Sequence, residues 1–263
     1  MLYDFNYRNN DDLGMLCAYL SMIAYENDIK VQEKWLSRFI GNFEILNDTC
    51  NKNLQYSIIR DIDKKTIFVA VRGTETHSLK EAIRDLWVSL QFWPIKPNIT
   101  SDDNTKIHYG YNKAGRALFN KVMPTIHKNY PDHELVFCGH SLGGVLAKYM
   151  GLLYASKSKV FAYGAPRLGS KGLFKTNPKT DLHNYVNIMD LIPLFYPKYH
   201  DCKDYNYFLT GKSQVSHTII DSDSYFKPII SLVLKTLFGG KFVALKSHSI
   251  KNYIRHLRKL RKK

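Results

Sequence analysis

The segment from Glu134 to Tyr149, ELVFCGHSLGGVLAKY, constrains this chain more than any other. Leu135 to Cys138 is an apolar run of the length of a buried strand. Gly139-His140-Ser141-Leu142-Gly143 follows at once, and Val145, Leu146, Tyr149 and Met150 then recur at helical spacing. A strand that passes so abruptly into a helix needs glycine where the two backbones approach. The serine in the turn sits at the helix N-terminus, where the peptide dipoles favour negative charge. Gly-x-Ser-x-Gly between strand and helix is how a nucleophilic serine is displayed. The bare pattern also arises by chance as a glycine-rich turn with an idle serine, so the flanking elements carry the weight.

The rest of the chain reads as strands alternating with helices. Asp11–Asn27, Lys30–Ile40, Asn112–Asn129, Leu142–Tyr154, Ile229–Phe238 and Ile250–Leu260 have helical spacing, and Ser78–Leu90 has mixed helical character. Gln55–Asp61 and Thr66–Val71 are β-rich and flank a polar turn, which predicts an antiparallel hairpin at the sheet edge. Glu134–Cys138, Val160–Tyr163 and Asn184–Ile188 predict buried strands. This alternation predicts an α/β fold with a mainly parallel central sheet flanked by helices. No linker splits it, so residues 1–263 are expected to form one domain.

A serine hydroxyl is a weak nucleophile and needs a base, which in turn needs an acid to orient it. In a strand–turn–helix arrangement of this kind the chain order is serine, acid, histidine. Asp190 follows the predicted strand Asn184–Ile188 and precedes an Ile-Pro turn, which suits the acid; Asp181 is the fallback, before that strand. His200, His217, His248 and His256 are the later histidines. His248 stands just before a helix, His217 in a β-like run, His200 in a polar loop and His256 among cations on an expected solvated face. The residues favour His248 over His217. An oxyanion hole needs two backbone N–H groups, expected from Leu142 and from Thr74 in the turn after Thr66–Val71.

Composition bounds the surroundings. The formal net charge is +15, and no Asp or Glu follows Ser224. Such a basic end attracts anionic lipid or nucleic acid, or serves as a solvated face. No nucleic-acid reading motif is present, so nucleic acid is not expected as a partner. Cys17, Cys50, Cys138 and Cys202 form no CxxC pair, and no zinc site is expected; Cys138 reads as a buried small residue. The first residues, MLYDFNYRNNDDLG, have no apolar signal core, and no stretch is apolar enough to span a bilayer. These features predict a cytoplasmic or peripheral-membrane protein.

Six segments together resemble the class 3 lipase family, which includes fungal triacylglycerol lipases. They are TIFVAVRGTE, IHYGYNKA, VFCGHSLGGVLA, FAYGAPRLGS, VNIMDLIP and HSIKNY, in the family's order, spanning Thr66 to Tyr253. The resemblance implies an α/β-hydrolase fold, the triad Ser141, Asp190 and His248, and an oxyanion hole at Thr74 and Leu142. It implies hydrolysis of lipid esters, acylglycerols foremost, with neither metal nor organic cofactor. Phospholipase or acyltransferase action on the same triad, or a non-catalytic binding protein on the same fold, are the alternatives. The family's lid corresponds to residues 75–106, which read equally as a core helix and a plain loop. A basic tail is expected at 258–263, with contact to anionic membrane through the C-terminus.

Overall fold

The computed structural model describes residues 3–46, 56–73, 94–96, 105–170, 173, 179–187, 190, 192–194, 205–208, 217–220 and 247–261; for 205–208 and 217–220 the backbone is described. The helices expected at Ser78–Leu90 and Ile229–Phe238, most of the 75–106 segment, and Cys50 and Cys202 lie outside these residues.

Among the described residues a central sheet has the order β1-β2-β3-β6-β7-β8-β9-β10. Its strands are β1 (Phe43–Ile45), β2 (Tyr56–Asp61), β3 (Thr66–Val71), β6 (Glu134–His140), β7 (Ser158–Tyr163), β8 (Thr180–Asn187), β9 (Tyr205–Phe208) and β10 (His217–Ile220). A separate pair joins β4 (Pro94–Ile95) to β5 (Ile107–His108). The middle of the sheet, β3-β6-β7-β8-β9, is parallel, and β1-β2-β3 and β9-β10 are antiparallel.

Successive side chains of a strand face opposite ways, and this alternation sorts the core into two layers. Ile67, Val69, Val71, Leu135, Phe137, Val160 and Ala162 join one cluster, together with α3 (Tyr109–Asn129) and α4 (Leu142–Leu153). Phe68, Ala70, Val136, Cys138, Phe161 and Tyr163 join the other, with α1 (Asn10–Ile23) and α5 (Ile250–Arg261). Strands buried at every position, such as TIFVAV, are thereby covered on both faces. Cys17 meets Cys138 across the α1 interface, and both are buried. On α5 the stripe Ile250, Tyr253, Ile254 and Leu257 is buried against α1.

Several local expectations are corrected. The β2–β3 hairpin lies one strand inside the sheet, because β1, too short to show a periodicity, pairs along β2. Helix α1 is capped by Asn9, whose side chain accepts the N–H groups of Asp11 and Asp12. Helix α2 (Ile29–Leu36) is capped by Asp28 and ends before Ser37. Strand β8 begins at Thr180, since its polar first half hides a strand within the sheet. Arg258 belongs to α5 rather than to a free tail, and its Nε donates to the Tyr19 hydroxyl at 2.5 Å. His256, expected on a solvated face, is buried, and burial and its cationic neighbours lower its pKa.

Candidate active site

Parallel pairing brings the carboxyl ends of β3, β6, β7 and β8 to one edge, where Val71 is paired with Gly139 and His140 with Tyr163. Open α/β sheets bind their ligands at this edge. Ser141 stands there as the N-cap of α4 with φ 58° and ψ −128°, a conformation rare for a residue with a Cβ. Its N–H donates to the Tyr163 carbonyl at 2.9 Å, and its own carbonyl accepts Gly144 N–H at 3.0 Å. The glycines of the turn are spatial necessities. A Cβ on Gly139 would strike the backbone of Gly143, and one on Gly143 would strike that of Val71 and Arg72. Leu142 supplies the first N–H of α4, a position with no carbonyl one turn back to accept it. Thr74, the other expected oxyanion donor, lies outside the described residues, but Gly73 before it reaches the site. A Cβ there would lie 3.2 Å from Ser141 Cβ.

Asp190 and His248 come together. His248 Nδ1 lies 2.8 Å from Asp190 Oδ2. A carboxylate at this distance accepts an N–H from Nδ1 and fixes the orientation of the ring. Asp190 is fully buried, and two further donors satisfy it: the Tyr253 hydroxyl on Oδ2 at 2.7 Å and Ile192 N–H on Oδ1 at 2.9 Å. The Tyr253 hydroxyl accepts in turn from Asn187 N–H at 3.1 Å. Asn187 Nδ2 donates to the Ser247 carbonyl at 3.2 Å, so one residue at the end of β8 is bonded on both sides of the Asp190–His248 pair. Asp181, the fallback acid, is paired instead with His183 at 3.1 Å near the start of β8. His217 begins β10; its side chain and all of His200 lie outside the description.

Four residues of this arrangement had no role in the sequence reading. Gly164 has φ +57°, and a Cβ on it would lie 2.7 Å from Asp190 Oδ2 and 3.1 Å from His248 Nδ1. Its signal was the GAPRLG segment. Tyr253 stands in the first turn of α5, which begins just after His248, within HSIKNY. His140, beside the nucleophile, is buried against His248 with ring centroids 4.6 Å apart. Burial and the neighbouring His248 hold its pKa well below the ordinary value, so it is neutral. Tyr25, at the end of α1, has its hydroxyl 3.0 Å from His140 Nδ1. Nothing in the sequence around Tyr25 marks it.

A strained serine at a strand–helix elbow, beside a buried aspartate–histidine pair, defines the serine-hydrolase class of α/β folds. Solved structures agree on the fold. The lipase of Rhizopus microsporus var. chinensis superposes with a TM-score of 0.65 at 19% identity, covering 89% of this chain and 88% of its own. The chain belongs to the lipase (class 3) family, whose profile matches residues 68–200. This is a family of ester hydrolases, as the resemblance implied. The chain is 29% identical to the lipase of Rhizomucor miehei over 150 residues, 52% of this chain and 39% of that one. It is 28% identical to the secreted alkaline triacylglycerol lipase of Penicillium cyclopium over 190 residues, 68% of this chain and 63% of that one. The chain thus spans well under half the length of the first curated lipases it matches.

The expected cytoplasmic or peripheral-membrane location is overturned by the secreted Penicillium relative. Among the described residues no helix is long and apolar enough to cross a membrane.

Proposed function

We propose that this chain, acting as one α/β-hydrolase unit over residues 1–263, hydrolyses carboxylic esters of lipids, acylglycerols foremost, through a covalent acyl-enzyme. The observation that carries the reading is the Asp190–His248 pair, 2.8 Å apart, packed against the strained turn that displays Ser141. His248 Nε2 takes the proton of the Ser141 hydroxyl as its oxygen attacks the ester carbonyl. The backbone N–H of Leu142 receives the oxyanion, and Thr74 is assigned the second donor on the strength of its place after Gly73. The alcohol leaves with the proton from His248. Water then attacks the acyl-serine by the same route, and the acid is released. The triacylglycerol lipase among the relatives supports acylglycerols as the first substrates to try.

The same reading assigns contact with an anionic, ester-bearing lipid surface to α5. Lys251, Arg255 and Lys259 lie exposed along one line of that helix.

The test is release of p-nitrophenol from butyrate and palmitate esters by wild type and Ser141→Ala. Turnover lost in the variant, with the fold intact, is the expected result. Equal rates in both would remove Ser141 from the chemistry and overturn the proposal.

A further inference from the structure

A line of contacts runs from the loop after β3 to the main chain of His248, through two residues outside the triad. It begins at Gly73, which packs so closely on the Tyr25 hydroxyl that a Cβ there would strike its oxygen. Tyr25 Oη lies 3.0 Å from His140 Nδ1, and His140 Nε2 lies 2.6 Å from the carbonyl oxygen of His248.

Chemistry fixes the direction of each bond. A carbonyl oxygen can only accept, so His140 Nε2 carries the hydrogen. His140 is neutral, so its Nδ1 has the lone pair and must accept from Tyr25. The Tyr25 oxygen, having donated its proton to His140, stands against Gly73. No bond in the line can be reversed without protonating a fully buried imidazole.

The two ends of the line matter to catalysis. Gly73 directly precedes Thr74 and packs on Ser141 Cβ. The His248 carbonyl belongs to the base itself. That residue is otherwise held by Asp190 on its ring and, one residue before, by Asn187 on the Ser247 carbonyl. The bond from His140 therefore ties the base's own backbone to the nucleophile's strand, and Tyr25 extends that tie toward the loop after β3.

We propose that Tyr25 and His140 are positioning residues that couple the oxyanion-hole loop to the main chain of His248, setting donor and base in one register around Ser141. The proposal rests on the Ser141–His248–Asp190 reading. Chemistry in such a site is sensitive to sub-ångström placement, so the coupling acts on kcat rather than on substrate binding.

The experiment compares Tyr25→Phe, His140→Phe, His140→Gln and the double variant Tyr25→Phe/His140→Phe by ester kinetics, with thermal unfolding of each. Tyr7→Phe is the structural control: it removes a half-buried hydroxyl bonded to Asp61 at 2.7 Å, far along the sheet. Tyr25→Phe is expected to lower kcat about tenfold with KM within about twofold. His140→Phe is expected to cost more, and His140→Gln, whose amide can both donate and accept, to recover part of it. Because the line is one path, the double variant should be no slower than His140→Phe alone. Tyr7→Phe should lower the unfolding temperature and leave kcat alone.

Additive losses in the double variant, or kcat that merely follows unfolding temperature through the whole set including Tyr7→Phe, would overturn the coupling. If His140→Phe does not fold, Tyr25→Phe, which deletes one oxygen, decides by its kcat alone. Ser141→Ala in the same assay separates the two readings. Activity surviving there fails the triad. A dead Ser141→Ala beside an unimpaired Tyr25→Phe fails the coupling only. A readout free of turnover is the low-field proton resonance of His248 Nδ1–H, expected to shift in Tyr25→Phe and to stay put in Tyr7→Phe.

Discussion

Asp190 Oδ2 and His248 Nδ1 lie 2.8 Å apart although 58 positions separate them in the chain. The same oxygen accepts the Tyr253 hydroxyl, and Ile192 N–H takes the other. Asp190→Asn preserves the volume but puts a neutral amide against the imidazole. The amide neither stabilises the imidazolium that forms during attack nor favours the proton on Nδ1. We expect kcat to fall by about 10⁴-fold, as removal of the charge does in other triads, with the urea midpoint changing far less. A loss of only a few fold would assign the acid elsewhere.

Gly164 gives a sharper geometric prediction. At φ +57° any other residue carries backbone strain. A Cβ would also stand 2.7 Å from Asp190 Oδ2, 3.0 Å from Tyr253 Oη and 3.1 Å from His248 Nδ1. Gly164→Ala should destabilise the fold by about 1–2 kcal/mol from strain alone. It should also cut kcat beyond what the unfolded fraction explains, because the carboxylate must move. Denaturant unfolding and kinetics on the same preparation check both. A variant as active as wild type per folded molecule would show that the carboxylate tolerates displacement.

Acid should destabilise this protein early. His140 and His108 are buried and neutral, the first held well below the ordinary imidazole range and the second at about 4, both chiefly by burial. His133 and His256 are shifted in the same direction. In the unfolded chain these groups take up protons near pH 6.5, whereas folded they do not. The unfolded state therefore binds more protons below about pH 6.5, and stability falls as pH drops from there, for His108 until about pH 4. Above that range these histidines add no slope. Each contributes at most about 1.4 kcal/mol per pH unit. The urea midpoint should decline between pH 7 and pH 4.5, and less steeply in His108→Gln. A flat midpoint over that interval would contradict the assignment.

Much of this candidate site was legible in the sequence. The elbow announced itself because its physics demands glycine at fixed places, and the collisions at Gly139 and Gly143 are the reason. Asp190 was legible because it follows a strand and precedes a turn, and His248 because it opens a helix. Tyr25 and His140 were not, since a hydrogen bond between residues 115 positions apart leaves no local pattern. Strand β1 was missed because three residues show no periodicity, and the first half of β8 because a half-exposed polar strand lacks the apolar runs that mark the centre of the sheet. His256 misled because cationic neighbours in sequence suggest solvent, whereas the helix turns the imidazole inward and the cations outward.

The last prediction concerns how α5 meets a lipid surface. An amphipathic basic helix usually adsorbs by two terms, apolar insertion and charge. Here Ile250, Tyr253, Ile254 and Leu257 are spent on the protein core, so insertion is not available to them. Lys251, Arg255 and Lys259 remain exposed, and only their charge can act. Adsorption through this helix should therefore require anionic lipid and fall steeply with salt, at about 1 kcal/mol for each cation near the surface. Reversing all three to Glu should weaken sedimentation with phosphatidylserine vesicles by at least about a hundredfold, while binding to neutral phosphatidylcholine vesicles serves as the reference. If the triple variant binds anionic vesicles as well as wild type, or if wild-type binding ignores salt, the contact does not run through α5, and its cations are a solvated face.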